Sequence, residues 1–213
     1  MAQNESFDIA GPAGRLEAIL MMPEGPPVAA GVVCHAHPLR GGVMHFKVVF
    51  RAAKALQQHG VAALRFNFRG VGRSEGTHDE GRGEQDDVGA ALAEMRRRFP
   101  ALPLVLGGFS FGAWMALRVG CAERGVRALF ALGLPVMMTD LSFLEACRPP
   151  RLFVQGERDE FGGGDRMREL VARLPEPGTL VIVPGADHFF GGHLDEVQEA
   201  VGAWTARRPW GAA

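Results

Sequence analysis

Residues 102–112 read LPLVLGGFSFG, and this stretch decides the fold. The apolar run LPLVL ends at Gly107, as a short buried strand would, and the following residues, AWMALRVGCAERG, have the apolar spacing of a buried helix. Between the two stands a lone serine, Ser110, with glycines two positions away on either side. The pattern predicts a strand, a sharp turn at Ser110 and then a helix.

Apolar runs and amphipathic stretches alternate along the rest of the chain. Strands are predicted at residues 16–21, 29–34, 61–66, 102–108, 128–134, 151–156 and 179–185, and helices at 44–59, 84–98, beyond Ser110, 164–174 and 193–206. Continuous apolar strands that alternate with helices predict the α/β class, with a mostly parallel, doubly wound sheet and helices on both faces. We expect one domain over residues 1–213, with a ligand crevice beyond the carboxyl ends of the strands.

The composition is that of an ordinary globular chain. Of the 213 residues, 47% are hydrophobic, and 23 basic residues stand against 24 acidic ones, for a net charge of −1. This balance gives no electrostatic reason to expect nucleic acid or an anionic membrane as a partner. We interpret the basic triplet at residues 96–98 as a helix end, where cations suit the helix dipole and are solvated.

The cysteines and the N-terminal residues indicate a cytoplasmic location. Cys34, Cys121 and Cys147 are odd in number, widely spaced and without a CxxC motif, which argues against a disulfide framework and a zinc knuckle. Such a set fits a reducing compartment. Residues 1–20 lack a charged segment followed by an apolar core, so no signal peptide is predicted, and no apolar run is long enough to span a bilayer.

Three residue types that suit nucleophilic catalysis each follow a predicted strand of their own. Ser110, Asp159 and His188 would therefore face one crevice. A serine hydroxyl is a poor nucleophile until a base takes its proton, and a neutral histidine with a carboxylate behind it is a suitable base near pH 7. At a tight turn the residues two positions from the nucleophile must be small, which explains Gly108 and Gly112. We predict that Ser110, Asp159 and His188 are catalytic.

Residues 108–112, GFSFG, resemble the GxSxG nucleophile elbow of the α/β-hydrolase superfamily. The order of the three predicted catalytic residues is similar to that superfamily's order, and the resemblance covers nearly the whole chain. Residues 35–49, HAHPLRGGVMHFKVV, and 66–76, FNFRGVGRSEG, further resemble small dienelactone-hydrolase-like proteins. Dienelactone hydrolases carry cysteine at the elbow where this chain carries Ser110, so their substrate does not carry over. The resemblance implies an α/β-hydrolase fold with little or no cap and a serine hydrolase without a cofactor.

The predicted acid and base have rivals nearby. Glu157 and Glu160 share the loop of Asp159, and Asp140 follows the preceding strand, where some superfamily members carry the acid. Asp159 is favoured because it lies three residues past the strand-ending glycine, which resembles the commonest superfamily pattern. His193 is the only nearby competitor of the predicted base, and we interpret it as the start of the last helix.

Stabilising an oxyanion needs two N–H groups aimed at the developing charge. One is predicted to be the amide of Phe111, directly after the nucleophile. Counted as in the superfamily's His-Gly-x loops, the other is the amide of His37, since Pro38 has none, and Leu39 is the alternative. The side chains of His35 and His37 are expected to anchor the loop. No second ligand cluster accompanies this His-x-His pair, so no metal site is predicted.

Residues 70–76, GVGRSEG, are rich in glycine but do not fit a dinucleotide-binding motif. The third glycine comes one place late for GxGxxG, and the stretch belongs to an inner loop of the predicted fold. We interpret it as a structural turn.

Superfamily members often insert a lid between the fifth and sixth predicted strands. Here only residues 135–150, PVMMTDLSFLEACRPP, intervene, which is too short for an independent cap but can supply an apolar wall. The crevice is therefore expected to be open, and the glycine run at residues 162–164 predicts a mobile acid loop. The residues predicted to contact substrate are Leu39, Phe109 and Phe189, with Phe111 and Phe190 as further candidates.

These features favour a carboxylesterase-like serine hydrolase with a small-molecule ester as its partner. A thioesterase, an acyltransferase or a perhydrolase on the same three residues are the alternatives, and a non-catalytic binding member of the fold is another. The presence of serine, acid and histidine together argues against the last of these.

Overall fold

A computed structural model describes residues 4–210, and its eight strands form one sheet. The strands are β1 (Asn4–Gly11), β2 (Gly14–Met21), β3 (Ala29–Cys34), β4 (Val61–Phe66), β5 (Leu104–Phe109), β6 (Val126–Leu132), β7 (Arg151–Gly156) and β8 (Gly178–Val183). The helices are α1 (Lys47–Gln58), α2 (Arg82–Arg98), α3 (Phe111–Ala122), α4 (Gly164–Val171) and α5 (Leu194–Ala206). Short 3-10 turns span Pro38–Arg40 and Ser142–Ala146.

The sheet is mostly parallel, as predicted. Its strands lie in the order β1-β2-β4-β3-β5-β6-β7-β8. β1 and β2 form an antiparallel hairpin, and β2 runs antiparallel to β4. All neighbouring strands from β4 to β8 are parallel, so the carboxyl ends of β3, β5, β7 and β8 meet at one edge of the sheet.

The sequence pattern predicts no strand at residues 4–11, where the structure has β1. This strand lies at the edge of the sheet and pairs only with β2. Of its residues only Ile9 is buried. An edge strand that buries so little carries neither the apolar run nor the strict alternation by which the other strands are recognised.

Helices cover both faces of the sheet because the central strands are predominantly apolar. Every residue of β3, β4, β5 and β7 is buried. Side chains of α1 and α5 pack on one face, and side chains of α2 and α3 pack on the other. Each fully buried apolar side chain contributes about 1.5–3 kcal/mol, so the strands that deliver the site are firmly held. Within residues 4–210, no helix combines the length and apolarity needed to cross a membrane.

The expectation that the cysteines are unpaired is wrong for two of them. Cys121, in α3, forms a disulfide with Cys147, just after the 3-10 turn Ser142–Ala146, with the two Cα atoms 4.8 Å apart. The pairing depends on the segment between β6 and β7 folding back onto α3, which sequence spacing does not show. Cys34 is unpaired and buried, and burial raises the pKa of its thiol. The cysteines thus no longer support the predicted cytoplasmic location, which stays a prediction.

Candidate active site

Ser110 lies at the junction of β5 and α3. Its backbone has φ 56° and ψ −120°, a conformation that residues other than glycine rarely adopt. Its amide donates to the carbonyl oxygen of Leu132 at 2.9 Å, which ties the turn to β6. The serine side chain thereby projects at the carboxyl edge of the sheet, where it keeps access to solvent.

The two glycines of the elbow are required by close packing. A Cβ added to Gly108 would lie 2.6 Å from the carbonyl group of Gly112 and 2.7 Å from the carbonyl oxygen of Cys34. A Cβ added to Gly112 would collide with the carbonyl oxygens of Cys34 and His35. The start of α3 therefore approaches the end of β3 so closely that neither position has room for a side chain.

The structure brings the three predicted catalytic side chains into contact. Nε2 of His188 lies 2.9 Å from Oγ of Ser110, and Nδ1 of His188 lies 2.8 Å from Oδ2 of Asp159. Asp159 and His188 are buried. In the neutral tautomer that fits both contacts, Nδ1–H donates to the carboxylate and Nε2 accepts from the hydroxyl. This arrangement can remove the proton of Ser110.

The rival acids and the second histidine lie elsewhere. Glu157 accepts a 2.8 Å hydrogen bond from the turn after β8, Asp140 accepts one of 3.0 Å from the amide two residues ahead, and Glu160 is exposed. His193 precedes α5, and its Nδ1 contacts the carboxylate three residues ahead at 3.1 Å. Among these carboxylates, the one that contacts the predicted base is that of Asp159.

Gln155, which sequence analysis does not single out, holds the carboxylate of Asp159. It is fully buried in β7, and its Nε2 donates to Oδ2 of Asp159 and to the carbonyl oxygen of Gly162, both at 2.8 Å. Its Oε1 accepts from the amide of Leu134 at 2.9 Å, and the amide of Phe161 donates to Oδ1 of Asp159 at 2.8 Å. The acid loop, predicted to be mobile, is thus tied to β7. The sequence does contain a signal for this role, since Gln155 is a polar residue within a strand predicted to be buried. Buried polar groups need hydrogen-bond partners, so such a residue indicates a positioning role.

The loop after β3 leaves the amide of His37 free to donate. The amide of Leu39, the alternative oxyanion donor, already donates to Nδ1 of His37 at 3.2 Å. The carbonyl oxygen of His37 accepts from the amides of Arg40 and Gly42. Over the described range 4–210, neither the amide of His37 nor that of Phe111 has a protein acceptor. The second of these amides opens α3, where helix N–H groups have no intrahelical partner.

His35 anchors the same loop, as predicted. Its Nε2 accepts from the amide of Phe68 at 3.0 Å, so its Nδ1 carries the proton and donates to the carbonyl oxygen of Ala36 at 2.7 Å. Burial lowers the pKa of His35 to about 4. The ring is therefore neutral near pH 7, and among residues 4–210 no acid lies within hydrogen-bond distance of it.

The residues predicted to contact substrate lie in different environments. Phe189 is 51% exposed and Leu39 is 73% exposed, so both are open to a ligand. Phe109 is fully buried beneath His188, with ring centroids 5.1 Å apart, and stacks on Phe46 at 5.5 Å. The prediction that Phe109 contacts substrate is therefore corrected. Side chains alternate across a strand, and the last residue of β5 points into the core on the α1 and α5 side.

The segment between β6 and β7 contributes an apolar edge near the base. The amide of Met137 donates to the carbonyl oxygen of Phe161 at 3.1 Å, and the ring of Phe161 meets the His188 ring edge-on at 4.6 Å. Met137 and Met138 are 65% and 69% exposed. The segment forms only the 3-10 turn Ser142–Ala146 and does not fold into a cap.

The glycine-rich stretch at residues 70–76 is a structural turn. The amide of Gly70 donates to the carbonyl oxygen of Glu75 at 3.1 Å, which closes the turn on itself. Just before it, Arg69 forms a buried two-pronged ion pair with Asp87 of α2, with a shortest N–O distance of 2.8 Å. These contacts confirm the prediction from sequence.

Known proteins share this architecture. Residues 29–202 match the sequence profile of the alpha/beta hydrolase domain. The chain is 38% identical over 200 residues to the uncharacterized protein RP471 of Rickettsia prowazekii, an alignment that covers 90% of this chain and 84% of that one. An alpha-beta serine hydrolase homologue from Coxiella burnetii is similar in structure, with a TM-score of 0.88, 38% identity and coverage of 93% of this chain and 96% of that chain. XC6422 from Xanthomonas campestris, a serine hydrolase without lid, gives a TM-score of 0.90 at 35% identity, covering 99% and 97%.

Proposed function

Because the chain belongs to the alpha/beta hydrolase family, we propose that it is a carboxylesterase-like enzyme that cleaves small or accessible esters through an acyl-enzyme on Ser110. The observation that carries the proposal is the 2.9 Å contact between Ser110 Oγ and His188 Nε2, with Asp159 2.8 Å behind the imidazole. Three residues from three separate strand ends meet in the order of a proton relay. Packing alone does not require that order.

In the proposed first step, Oγ of Ser110 attacks the ester carbonyl carbon while Nε2 of His188 takes the hydroxyl proton. Asp159 accepts from Nδ1–H and stabilises the imidazolium that results. Collapse of the tetrahedral intermediate breaks the bond to the alcohol, which leaves with the proton held by His188. Water activated by the same imidazole then attacks the acyl-enzyme, releases the acid and restores Ser110.

The oxyanion of the intermediate is proposed to bind the amides of Phe111 and His37. Both amides lack a protein acceptor within residues 4–210, and Phe111 adds the positive end of the α3 dipole. Removal of one such donor commonly costs about 2.7–4 kcal/mol of transition-state stabilisation.

The openness of the crevice supports small or accessible acyl groups. Between β6 and β7 there is one short 3-10 turn and no cap, and the apolar side chains of Leu39, Met137 and Phe189 are exposed. A long acyl chain would gain less here than in a closed pocket, because an open crevice removes less of its apolar surface from water.

The experiment that tests the proposal is the Ser110→Ala substitution. The unaltered protein should hydrolyse p-nitrophenyl butyrate and form a covalent adduct with a fluorophosphonate probe. The substitution should abolish the adduct and lower kcat by roughly 10⁶-fold, since loss of a serine nucleophile costs about that much elsewhere. Product analysis with added alcohol or peroxide separates hydrolysis from acyl transfer.

Ser142→Ala is the matched control, because Ser142 is exposed and lies outside the proposed relay. It should label and turn over like the unaltered protein. Turnover that survives in Ser110→Ala, or labelling at another residue, would remove Ser110 from the mechanism.

A further inference from the structure

A second pair of a histidine and a carboxylate, His78 and Glu84, lies beside Phe111. Nδ1 of His78 is 2.8 Å from Oε1 of Glu84, although the two atoms are not aligned as a hydrogen bond. The side chain of His78 is 10% exposed, and that of Glu84 is fully buried. The proposed proton relay uses neither residue.

The backbone around the start of α2 holds the carboxylate of Glu84 in place. Its Oε1 accepts from the amide of Asp79 at 2.9 Å, and its Oε2 accepts from the amide of Gly81 at 2.8 Å. A buried carboxylate is costly without such partners. The carboxylate is therefore fixed directly behind the imidazole, where it can stabilise a positive charge on His78.

The ring of His78 packs side by side with a second imidazole. Its centroid is 4.8 Å from that of His37 and 5.8 Å from that of Phe111, and the rings of His37 and Phe111 are 5.1 Å apart. The amides of Phe111 and His37 are the proposed oxyanion donors. The two imidazoles thus lie next to the place where the carbonyl oxygen of the substrate would bind.

Both imidazoles keep a ring nitrogen available to a ligand. Nδ1 of His37 accepts from the amide of Leu39, so a neutral His37 carries its proton on Nε2. Nδ1 of His78 faces Glu84, which leaves Nε2 of His78 on the other side of the ring. Neither Nε2 has a protein partner among the described residues, and neither is sealed from solvent.

An exposed cation lies on the solvent side of the two rings, where an anion could bind. Arg40 is exposed in the same loop as His37. Burial, the neighbouring imidazole and the charge of Arg40 lower the pKa of His37, whereas the charge of Glu84 raises it. The other nearby cation, Arg69, is committed to Asp87. The solvent side of the two rings thus has the guanidinium of Arg40 and the two Nε2 atoms, whereas Glu84 is buried behind His78. Of the acids that follow His78, Asp79 is paired with Arg82 and Glu80 is exposed.

We propose that His37 and His78 form a two-histidine subsite that binds a carboxylate on the acyl part of the ester. The substrate class is then the monoesters of short dicarboxylic acids. This inference rests on the proposed function, because it assigns the acyl group that the same site accepts. In the complex His78 would be an imidazolium held between Glu84 and the bound carboxylate, so that Nε2–H of His78 and Nε2–H of His37 face the two carboxylate oxygens. Hydrogen bonds to charged groups are among the stronger ones in proteins.

The test combines two substitutions at His78 with a matched pair of esters. Asparagine places its amide nitrogen where Nδ1 lies, so His78→Asn keeps a donor beside Glu84 and removes Nε2. Glutamine reaches toward the position of Nε2, so His78→Gln keeps a donor to the ligand. Monoethyl glutarate and ethyl pentanoate differ only in a carboxylate that replaces a terminal methyl group, and their hydrolysis is followed by pH-stat titration.

We expect the unaltered protein to prefer monoethyl glutarate in kcat/KM. The preference should fall at least about tenfold in His78→Asn, mainly through KM, and less in His78→Gln. His59→Asn is the control, because His59 caps the C-terminus of α1 and its Nδ1–H donates to the carbonyl oxygen of Ala55, away from the proposed subsite. It should leave the preference unchanged. The subsite is overturned if the unaltered protein does not prefer monoethyl glutarate, or if folded His78→Asn prefers it as strongly as the unaltered protein does.

A binding measurement keeps this inference separate from the proposed function. In Ser110→Ala, monoethyl glutarate should shift the imidazole proton NMR signals of His37 and His78, whereas ethyl pentanoate should not. Shifts without any ester cleavage by the unaltered protein would support the subsite and reject the proposed function. Ester cleavage without these shifts would support the proposed function and reject the subsite.

Discussion

Two histidine–carboxylate pairs lie at the nucleophile elbow, and they differ in what the second imidazole nitrogen faces. In each pair a buried carboxylate oxygen lies 2.8 Å from Nδ1 of the histidine. Nε2 of His188 meets the hydroxyl of Ser110 at 2.9 Å, whereas Nε2 of His78 opens toward solvent beside the oxyanion loop. An imidazole and a carboxylate can therefore serve as a base in one place and as a binding group in the other. What differs is the group that faces Nε2: the hydroxyl of Ser110 in the first pair, and solvent or a ligand in the second.

A third histidine in the same region shows what the carboxylate adds. His35 lies just before the oxyanion loop, is fully buried and bonds only to backbone groups. Burial without a compensating charge lowers its pKa to about 4, so its ring stays neutral at physiological pH. A histidine in the loop after β3 is thus not equipped for proton transfer by its position alone.

Within this comparison, the largest expected effect is the difference in kcat between variants of the two carboxylates, Asp159 and Glu84. Asp159→Asn should lower kcat by about 10⁴-fold, because an amide in this place favours the wrong tautomer of His188. Glu84→Gln should lower kcat far less with ethyl pentanoate, yet destabilise the fold by about 1–3 kcal/mol, since one buried amide loses its acceptor. Steady-state kinetics and thermal unfolding of both variants measure this. Losses of kcat that are equal in size would erase the distinction between the pairs.

The next effect is the pH dependence of stability that arises from His35, the histidine that has no carboxylate partner. The pKa of His35 is about 4 in the folded protein against an ordinary value of 6.5, so between these values the unfolded chain binds the proton and the folded chain does not. The contribution of neutral His35 to the free energy of unfolding is therefore fully present above pH 6.5. It is lost as the pH falls toward 4, which lowers the free energy of unfolding by about 3 kcal/mol.

Urea unfolding at pH 7 and at pH 4.5 measures that loss. His35→Gln, which can still accept from the amide of Phe68, should remove most of this part of the pH dependence. An identical pH dependence in the variant and the unaltered protein would show that His35 is not the group responsible.

The smallest effect concerns the residue that positions Asp159. Gln155→Met should lower kcat about tenfold with little change in KM, because a hydrogen bond to the buried carboxylate is lost. Gln57→Met is the matched control, since Gln57 is also buried and donates to the carbonyl oxygen of Met22 away from the site. It should reduce stability without reducing kcat. A similar fall in kcat in both variants would mean that Gln155 acts only through the fold.

Most of the fold can be predicted from the sequence because its strands are locally marked. Strands β3, β4 and β7 have the bounds expected from their apolar runs, and the turn at Ser110 follows from the two glycines around it. The order of serine, acid and histidine along the chain is also visible directly. The apolar runs and the glycines around the turn depend on residues within a few positions of one another, which is the range over which patterns in a sequence are readable.

The features missed from the sequence depend on contacts between distant residues. Gln155 is a glutamine in an apolar run until the acid loop folds over it, and Cys121 meets Cys147 only when the segment after β6 returns to α3. Phe109 stands beside the nucleophile in the chain, yet the alternation of β5 turns it into the core. Proximity in sequence therefore does not decide which side chains reach the crevice.

The amino-acid sequence alone determined the class of fold and the sharp turn at Ser110, the proposed nucleophile, because hydrophobic periodicity and glycine spacing are local properties. Only the tertiary structure decided which acid stands behind His188, which amide of the oxyanion loop is free and that a second imidazole–carboxylate pair lies beside Phe111. Hydrogen bonds and ion pairs act over a few ångströms in space, and only the folded chain brings residues from separate loops within that distance.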